Sequence, residues 1–570
     1  MFVCLLRTAP WITLALFIGP ILAGLAGTLL PAFGFLPALG GDRFSLQPWQ
    51  DLLAAPGLRA ASLTALFSGL TAALCAFLLA SFCLALASAR PRLGWLRRLQ
   101  SPLLAVPHLA LAIGLAFILA PSGWLARMLS PWLTGWQRPP DLLTVQDPLA
   151  LALTLGLVLK ETPFLLLMMY AVARQLGLDR QVRAARLMGY GPVTAWLKVA
   201  WPQIYAQVRL PLFAVIAYGV SNVDMAIPLE PSAPPTLSVL LWRWFTDPDL
   251  AFRFQAAAGA MLQALLVVIA IAHWWLGERL LARLARSWLS AGDRRRFDGI
   301  SAAFALALVL AGVVLSWLAL GSLAVWAGAG PWRFPAALPQ SWSISQALAQ
   351  DGDIGPALWT SLGIGLASTA LCLGLCVLCL ENEAQRGKRA GGGSLLILYI
   401  PLLVPQIAFL FGLQVAFGAL GIAGTALAVI IAHCVFVVPY VFLALSEPYR
   451  RLDPRYAQLA ATLAKSPLRV FAQIKLPILL RPILIAAALG FSVSMAQYLA
   501  TLFAGAGRIE TLTTEALTLM AGGNRRLVST LAFVLAILPF IGFSVARLIP
   551  AWRFRNRRDL AAVTSGQGAA

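Results

Sequence analysis

The amino-acid sequence predicts an all-α polytopic membrane protein with about twelve transmembrane helices, arranged as two parallel six-helix repeats. Composition is the first reason. Hydrophobic residues make up 60% of the 570 positions and charged residues only 11%, whereas a soluble domain has roughly a quarter of its residues charged. The second reason is a series of long apolar segments. The third is a short basic sequence that occurs once in each half of the chain.

Twelve apolar segments are long enough to span a bilayer, which requires about 20 mostly apolar residues per helix. We predict spans in the first half at residues 11–31, 62–88, 102–120, 149–172, 209–229 and 255–276. We predict spans in the second half at residues 300–327, 357–381, 394–416, 423–446, 482–503 and 527–548. The segment after Arg7 lacks a clear cleavage site, so we interpret it as a first span and not as a removed signal peptide.

The net charge of +21 comes from basic residues that lie in short clusters between the apolar segments. This distribution is typical of topology determinants, and we expect no binding of nucleic acid. With the N-terminus inside, most Lys and Arg residues fall on the cytoplasmic side, so the positive-inside rule predicts that both termini are cytoplasmic.

Cysteine and histidine residues give no sign of a metal, cofactor or catalytic site. Cys372, Cys376 and Cys379 share one helical face, but no histidine or carboxylate lies beside them, and we favour packing over soft-metal binding. We interpret His433 as a hydrogen-bonded core residue. The other two histidines, His108 and His273, form no predicted constellation with acids.

An internal repeat organises the chain. The sequence Val199-Ala-Trp-Pro202 lies 275 positions before Ile474-Lys-Leu-Pro477. Upstream, Val106-Pro107 with Gly114 corresponds to Val404-Pro405 with Gly412. We infer a duplication and fusion of two units, residues 1–286 and 287–570, joined by a basic linker near residues 277–299. Because each unit spans the membrane six times, the two units have the same orientation and form a parallel repeat.

The most informative part of the repeat is a basic, amphipathic sequence at 183–202 with a second copy at 458–477. Its spacing is Ala-Ala, three residues, Gly, nine residues, an aliphatic residue, any residue, a large apolar residue and Pro. Small residues let a short helix lie close in a groove, and glycine permits a sharp reversal. The alternative is a basic loop that meets anionic lipid, which does not explain why the same spacing recurs.

This spacing resembles the EAA signature of the permease subunits of binding-protein-dependent ABC importers, Glu-Ala-Ala-x3-Gly-x9-Ile-x-Leu-Pro. The residues that match are Ala184, Ala185, Gly189, Val199 and Pro202 in the first copy, and Ala460, Ile474, Leu476 and Pro477 in the second. The substitutions are Arg183 for Glu and Trp201 for Leu in the first copy, and Gln458 for Glu, Leu459 for Ala and Ala464 for Gly in the second. Both copies therefore lack the acid, and any contact that it makes with an ATPase must be absent or rebuilt here.

The fused twelve-span layout resembles the double-length permeases of ferric-iron and thiamine import systems. The resemblance implies the permease of an ATP-driven importer in a bacterial inner membrane, a transport component and not an enzyme. It implies that two ATP-binding subunits dock on the two copies of the signature, and that a periplasmic binding protein delivers a small solute. The sequence contains no Gly-x4-Gly-Lys-Ser/Thr phosphate loop, so ATP hydrolysis requires a separate polypeptide.

Charged residues inside spans are candidates for a substrate path, because burying them in a membrane is unfavourable. Lys160 and Glu161 lie in the fourth predicted span and Asp224 in the fifth. The resemblance implies a path between the halves, lined by the fifth span of each, which adds Asn222 and its repeat-mate Gln497; the repeat-mate of Asp224 is Leu499. Asp224 suits a cationic solute, but an ion pair with Lys160 that only holds the helices together explains it equally well.

A second class of protein fits the same layout. An ion-coupled secondary transporter with two six-helix halves would use buried carboxylates such as Asp224 and Glu161, and it would need no ATPase. The twin cytoplasmic sequences argue against it, because such a carrier has no partner for them. We therefore favour the ABC permease.

Overall fold

The computed structural model describes residues 2–89, 91–294, 297–343, 354–387, 391–462 and 466–555. These residues form helices and no β-strand. Ten of the described helices are long and apolar enough to span a membrane, and counting each of two sharply bent helix pairs as one span gives twelve. The predicted fold class is confirmed.

The described helices follow the order of the predicted spans. The first half contains α1 (Phe2–Ala32), α2 (Gln47–Ala54), α3 (Leu58–Ala89), α4 (Gly94–Gln100), α5 (His108–Leu119), α6 (Trp124–Leu129), α7 (Leu151–Gln175), α8 (Leu178–Leu187), α9 (Pro192–Ala195), α10 (Trp201–Ser221), α11 (Ala226–Leu229), α12 (Leu237–Thr246) and α13 (Phe252–Ser290). The second half contains α14 (Ile300–Gly328), α15 (Gly355–Arg386), α16 (Gly392–Leu403), α17 (Gln406–Ala419), α18 (Ala426–Arg450), α19 (Pro454–Thr462), α20 (Pro467–Val470), α21 (Leu476–Ile478), α22 (Leu480–Met495), α23 (Tyr498–Ala504), α24 (Leu512–Met520) and α25 (Arg525–Arg553). Short 3-10 helices cover Pro37–Leu39, Pro91–Leu93 and Ser101–Ala105, and π-helical turns cover Trp196–Ala200 and Phe471–Lys475.

Each half contains a helix break at the repeated Val-Pro dipeptide. Val106 and Val404 both have extended backbone, with ψ of 128° and 125°, in agreement with the steric bias of a residue that precedes proline away from the helical region. In the second half, the helix segments before and after the break meet at a bend of 100°. The repeated dipeptide therefore interrupts the helix in both halves.

The first spanning helix of each half packs against the other half. α1 crosses α17, where a Cβ added to Gly412 would lie 1.9 Å from the Gly24 carbonyl oxygen, and the Gly412 amide donates a hydrogen bond to Thr28 Oγ1 at 3.0 Å. In the corresponding place α14 crosses α5, where a Cβ on Gly114 would lie 2.3 Å from the Ala319 carbonyl oxygen. The repeats thus exchange their first helices.

One hydrophobic core results from this exchange. It includes buried residues of both halves, among them Ile113 on α5, Phe409 on α17 and Leu531 on α25. The residues 1–286 and 287–570 remain our predicted units of duplication, but each unit buries part of its surface against a helix of the other.

The close crossing makes a prediction about stability. Gly412→Ala should lower the melting temperature of the detergent-solubilised protein, because the added methyl group overlaps the α1 backbone and overpacking costs about 1–3 kcal/mol. The control is Gly374→Ala on α15, where an added Cβ has no neighbour within 4 Å. An unchanged melting temperature for Gly412→Ala would show that α1 and α17 do not touch.

Candidate functional site

The first copy of the repeated sequence forms a short amphipathic helix and a tight turn. On α8, Val182 and Ala185 are buried while Arg183 and Ala184 are exposed. Beyond the helix, Gly189 has a φ of +88°. Its amide donates to the Arg186 carbonyl at 3.0 Å, and the next amide, of Tyr190, donates to the Ala185 carbonyl at 3.3 Å. This pair of bonds is a Schellman motif, which favours glycine at the left-handed position.

The turn leads directly into the fifth spanning helix. α9 continues through the π-helical turn into α10, and Pro202 lies in the first turn of α10. Proline has no amide hydrogen to donate to the preceding turn. The second copy has the same order, because the π-helical turn ends at Lys475 and is followed by Pro477 in α21. Each amphipathic helix is therefore joined to a spanning helix through a π-helical turn and a proline.

The second copy of the amphipathic helix is α19. Gln458 and Leu459 are exposed on it, and Ala460 lies within the helix. Ala464 lies outside the described residues. After that gap, Ser466 caps α20 by accepting a hydrogen bond from the Arg469 amide at 3.4 Å.

A buried ion pair fixes the second π-helical turn, and sequence reasoning did not find it. Lys475 Nζ lies 2.7 and 2.8 Å from the two carboxylate oxygens of Glu381 on α15, and Tyr449 donates a hydrogen bond to the same carboxylate. The repeat-mate of Lys475 is Ala200, so the first copy cannot form this pair. The two copies are thus anchored differently.

The buried charges of the fourth span have partners other than those that we considered. Among the described residues, Lys160 and Asp224 form no ion pair, so that interpretation is wrong. Lys160 Nζ instead donates to the carbonyl oxygens of Leu103, Leu104 and Val106. These carbonyls lie at the Val106-Pro107 break, where the helix is interrupted, and that of Leu103 also accepts from the Val106 amide at 3.3 Å. The lysine satisfies backbone acceptors that have no water available in a bilayer.

Glu161 pairs with a histidine, contrary to our prediction that His108 has no acidic partner. His108 Nε2 lies 3.5 Å from Glu161 Oε1, and its ring centroid lies 4.6 Å from that of Tyr218. The prediction failed because residue 108 begins α5 directly after the Val106-Pro107 break, which turns its side chain toward α7.

The fifth spanning helix of each half is interrupted at equivalent positions. Continuous spans were predicted at 209–229 and 482–503, but α10 ends at Ser221 and α22 at Met495. Asn222 and Gln497 follow these ends and are 275 positions apart. Asn222 Nδ2 donates to the Gly219 carbonyl at 3.4 Å and Gln497 Nε2 to the Val493 carbonyl at 3.3 Å. In the described part of the chain, both amide oxygens are buried and accept no hydrogen bond.

Asp224 lies just beyond the first of these breaks. It is 8% exposed. Its repeat-mate Leu499 is buried. Carboxylate and amide oxygens form an environment that attracts cations.

His433 and the cysteines have structural surroundings. His433 Nδ1 lies 2.8 Å from Ser494 Oγ and its Nε2 lies 2.9 Å from Thr501 Oγ1, which confirms a hydrogen-bonded core histidine. Cys372, Cys376 and Cys379 are buried. Within the described ranges, no group of three or more His, Cys, Asp or Glu residues is arranged to hold a metal ion.

Comparison with known proteins agrees with this architecture. Residues 356–553 match the family described as binding-protein-dependent transport system inner membrane component. The chain is 33% identical over 523 residues to the inner membrane ABC transporter permease protein YnjC of Escherichia coli (strain K12), covering 89% of this chain and 91% of that protein. It is 24% identical over 481 residues to the thiamine transport system permease protein ThiP of the same strain, covering 80% and 82%. It is also 33% identical over 163 residues to the molybdenum transport system permease protein ModB of Mycobacterium tuberculosis (strain ATCC 25618 / H37Rv), covering 26% and 61%.

The buried ion pair at the second π-helical turn makes a prediction. Lys475→Met should destabilise the protein by about 3–5 kcal/mol, because it leaves the Glu381 carboxylate buried without its cation. The double variant Glu381→Gln/Lys475→Met should recover most of that loss. Denaturant unfolding in detergent micelles measures both.

The exposed pair of Arg451 and Glu447, with Nε and Oε1 2.7 Å apart, supplies the control. Arg451→Met should cost less than about 1 kcal/mol, since solvent screens such pairs. Equal losses for Lys475→Met and Arg451→Met would contradict a special role of burial.

Proposed function

This chain belongs to the family of inner membrane permeases of binding-protein-dependent ABC transport systems, and from this membership we propose that it serves an ATP-driven importer of a small solute. As a member of that family it is a multi-pass transport component and not itself an enzyme. In our proposal, an extracytoplasmic binding protein delivers the solute, and two separate ATP-binding subunits drive transport. Both termini are cytoplasmic, as the distribution of Lys and Arg indicates.

The observation that carries the proposal is the pair of amphipathic helices α8 and α19, which occupy equivalent positions in the repeat and lead into spanning helices. We propose that these are coupling helices and that each docks on one ATP-binding subunit. The coupling residues of the first copy are Arg183, Ala184, Ala185, Gly189 and Pro202, and those of the second are Gln458, Ala460, Ala464 and Pro477. Apolar side chains are exposed at both helices, with Leu187 at 90% and Leu459 at 64%, as expected of a surface that a partner covers.

The way each coupling helix joins its spanning helix supports a mechanical role. Because α8, α9, the π-helical turn and α10 follow one another with only the turn at Gly189 between them, a displacement of α8 moves α10. The far end of α10 is the break at Asn222. A movement of the ATP-binding subunits is thereby transmitted to the buried polar residues between the halves.

We propose that the solute path passes between the two interrupted helices. Its lining includes Asn222, Asp224 and Gln497, with Glu161 from the neighbouring helix. Lys160 belongs to the path only indirectly, because its charge is held by the carbonyl oxygens at the Val106-Pro107 break. The acidic surroundings favour a cationic solute.

The alternative of an ion-coupled secondary transporter is supported by the buried carboxylates Glu161 and Asp224. One experiment separates the two functions. The tagged chain purified from its native membranes should carry an ATP-binding subunit. Reconstituted vesicles should take up the solute retained by the partner binding protein only when ATP is supplied. If the purified chain carries no ATP-binding subunit and the vesicles take up the solute on an ion gradient alone, the protein is a secondary transporter.

A substitution at the turn that follows α8, residues 186–192, here called the first coupling turn, extends that test. Gly189→Val should reduce ATP-dependent uptake at least about tenfold with normal membrane insertion, because a β-branched residue is strained at a φ of +88°. Gly277→Val is the control, since that position has an ordinary φ and no neighbour within 4 Å of an added Cβ. Normal uptake by Gly189→Val would count against coupling through this turn.

A second substitution tests the path. Asp224→Asn should lower uptake of the same solute about tenfold, the ratio that corresponds to 1.4 kcal/mol, while the amount of folded protein stays constant. Asp141→Asn on an exposed loop is the control for loss of one negative charge. If Asp224→Asn instead removes the folded protein, Asp224 is a structural residue and not part of the path.

A further inference from the structure

The segment that joins the two repeats folds onto the first coupling turn. The name inter-repeat linker is used below for the described residues of this segment, 291–294 and 297–299. The Asp298 carboxylate accepts hydrogen bonds from the amides of Val193 and Thr194 at 2.6 and 3.2 Å and from Thr194 Oγ1 at 2.6 Å. The amide of Gly191 donates to the Arg294 carbonyl at 2.7 Å. The linker thus satisfies the free amides at the start of α9.

In the second copy, a residue of the copy itself caps the corresponding helix, α20. Ser466 precedes α20 and caps it with its hydroxyl group, and the residue 275 positions earlier is Gly191, which has no side chain to do so. A Cβ at Gly191 would lie 2.1 Å from Asp298 Oδ2. Glycine at position 191 therefore has no side chain to cap α9, but it leaves space for the Asp298 carboxylate of the linker.

A lysine of the first π-helical turn holds the start of the linker. Lys198 Nζ donates to the carbonyl oxygens of Trp288 and Ala291 at 2.9 and 2.7 Å, and it lies 5.0 Å from the centroid of the Trp288 ring. The Trp288 ring in turn packs edge-on against Phe297, with centroids 5.7 Å apart. The linker is attached at both of its described ends.

The coupling turn and the linker together border an open surface depression, here called the cavity, of about 600 Å³. Its lining comprises Arg186, Gly189, Tyr190, Gly191 and Pro192 from the turn and Asp298 and Gly299 from the linker. Arg294 lies over the Tyr190 ring at 5.9 Å. The Asp298 carboxylate already accepts hydrogen bonds from the start of α9. Among the described residues around this cavity, the charges left for a partner are therefore those of Arg186 and Arg294.

We propose that the inter-repeat linker is part of the first docking site for an ATP-binding subunit, and that this composite site receives an acidic segment of that subunit. The inference rests on the proposed function, since it names the chemistry of the partner at a coupling helix. It also gives Arg183 a role. Where the family has a glutamate, this chain presents a cation, so the complementary residue on the partner is an acid.

The linker contact is tested with Asp298→Ala in the full chain, by measuring how much ATP-binding subunit is recovered from native membranes. We expect a loss of at least about fivefold. The control is Asp293→Ala, an exposed acid of the same linker, which should recover wild-type amounts. If wild-type protein recovers no ATP-binding subunit, the proposed function fails. If Asp298→Ala recovers as much as wild type, only the linker inference fails.

A double variant separates docking from helix capping. Asp298→Ala/Gly191→Ser places the serine cap of the second copy into the first, in the space that the carboxylate vacates. It should restore the melting temperature to near the wild-type value, while recovery of the ATP-binding subunit stays low. If the double variant recovers as much ATP-binding subunit as wild type, Asp298 only caps α9 and the proposal is overturned.

The expected negative charge of the partner segment is tested by reversing the charge of an arginine beside the cavity. Arg186→Glu should lower recovery of the ATP-binding subunit several-fold, whereas Arg283→Glu, on the exposed end of α13, should not. Equal recovery for the two variants would exclude an acidic partner segment.

Discussion

The fold depends on two helix crossings that leave no room for a side chain. At Gly412 and at Gly114, the backbone of a first spanning helix lies against the third span of the other half. Inside a bilayer, lipid solvates apolar side chains as well as protein does, so helices associate through close packing and hydrogen bonds. Glycine permits both here, since the Gly412 amide bonds to Thr28 and the Gly114 carbonyl accepts from Ser322 at 3.0 Å. Each repeat is completed by a helix of the other, and the path that we propose between them lies inside one interlocked unit.

Helix breaks determine where polar groups are needed in this interior. A break frees carbonyl and amide groups that water cannot reach, and each must find a partner. Lys160 fills this need at the Val106-Pro107 break. At the breaks in the fifth spans, the buried amide oxygens of Asn222 and Gln497 accept no bond from the described residues. This difference separates a charge that stabilises the backbone from the polar groups that we propose to line the solute path.

The sequence was sufficient for the features that depend on local pattern. The spans follow from hydropathy, the repeat from spacing, and the coupling turn from glycine and proline at fixed positions. Side-chain contacts between residues distant in sequence could not be predicted. His108 and Glu161 are 53 residues apart, and Lys475 and Glu381 are 94 apart. The interruptions at 222–225 and 496–497 were missed for another reason. Residues such as Val223 and Ala496 are apolar, and hydropathy does not separate an interrupted span from a continuous one.

The two repeats differ at the coupling turns, and the differences are paired. The first copy has no capping side chain at Gly191, and Asp298 of the linker accepts from the amides there instead. It has no lysine at position 200, but Lys198 binds carbonyl oxygens at the start of the linker. The second copy keeps its own cap at Ser466 and anchors Lys475 on α15. A linker can take over these roles only where the two permease units are one polypeptide, since two separate subunits have no segment that joins them. In our proposal, fusion of the two units therefore lets the two coupling sites differ chemically, with the first depending on the covalent connection between the repeats.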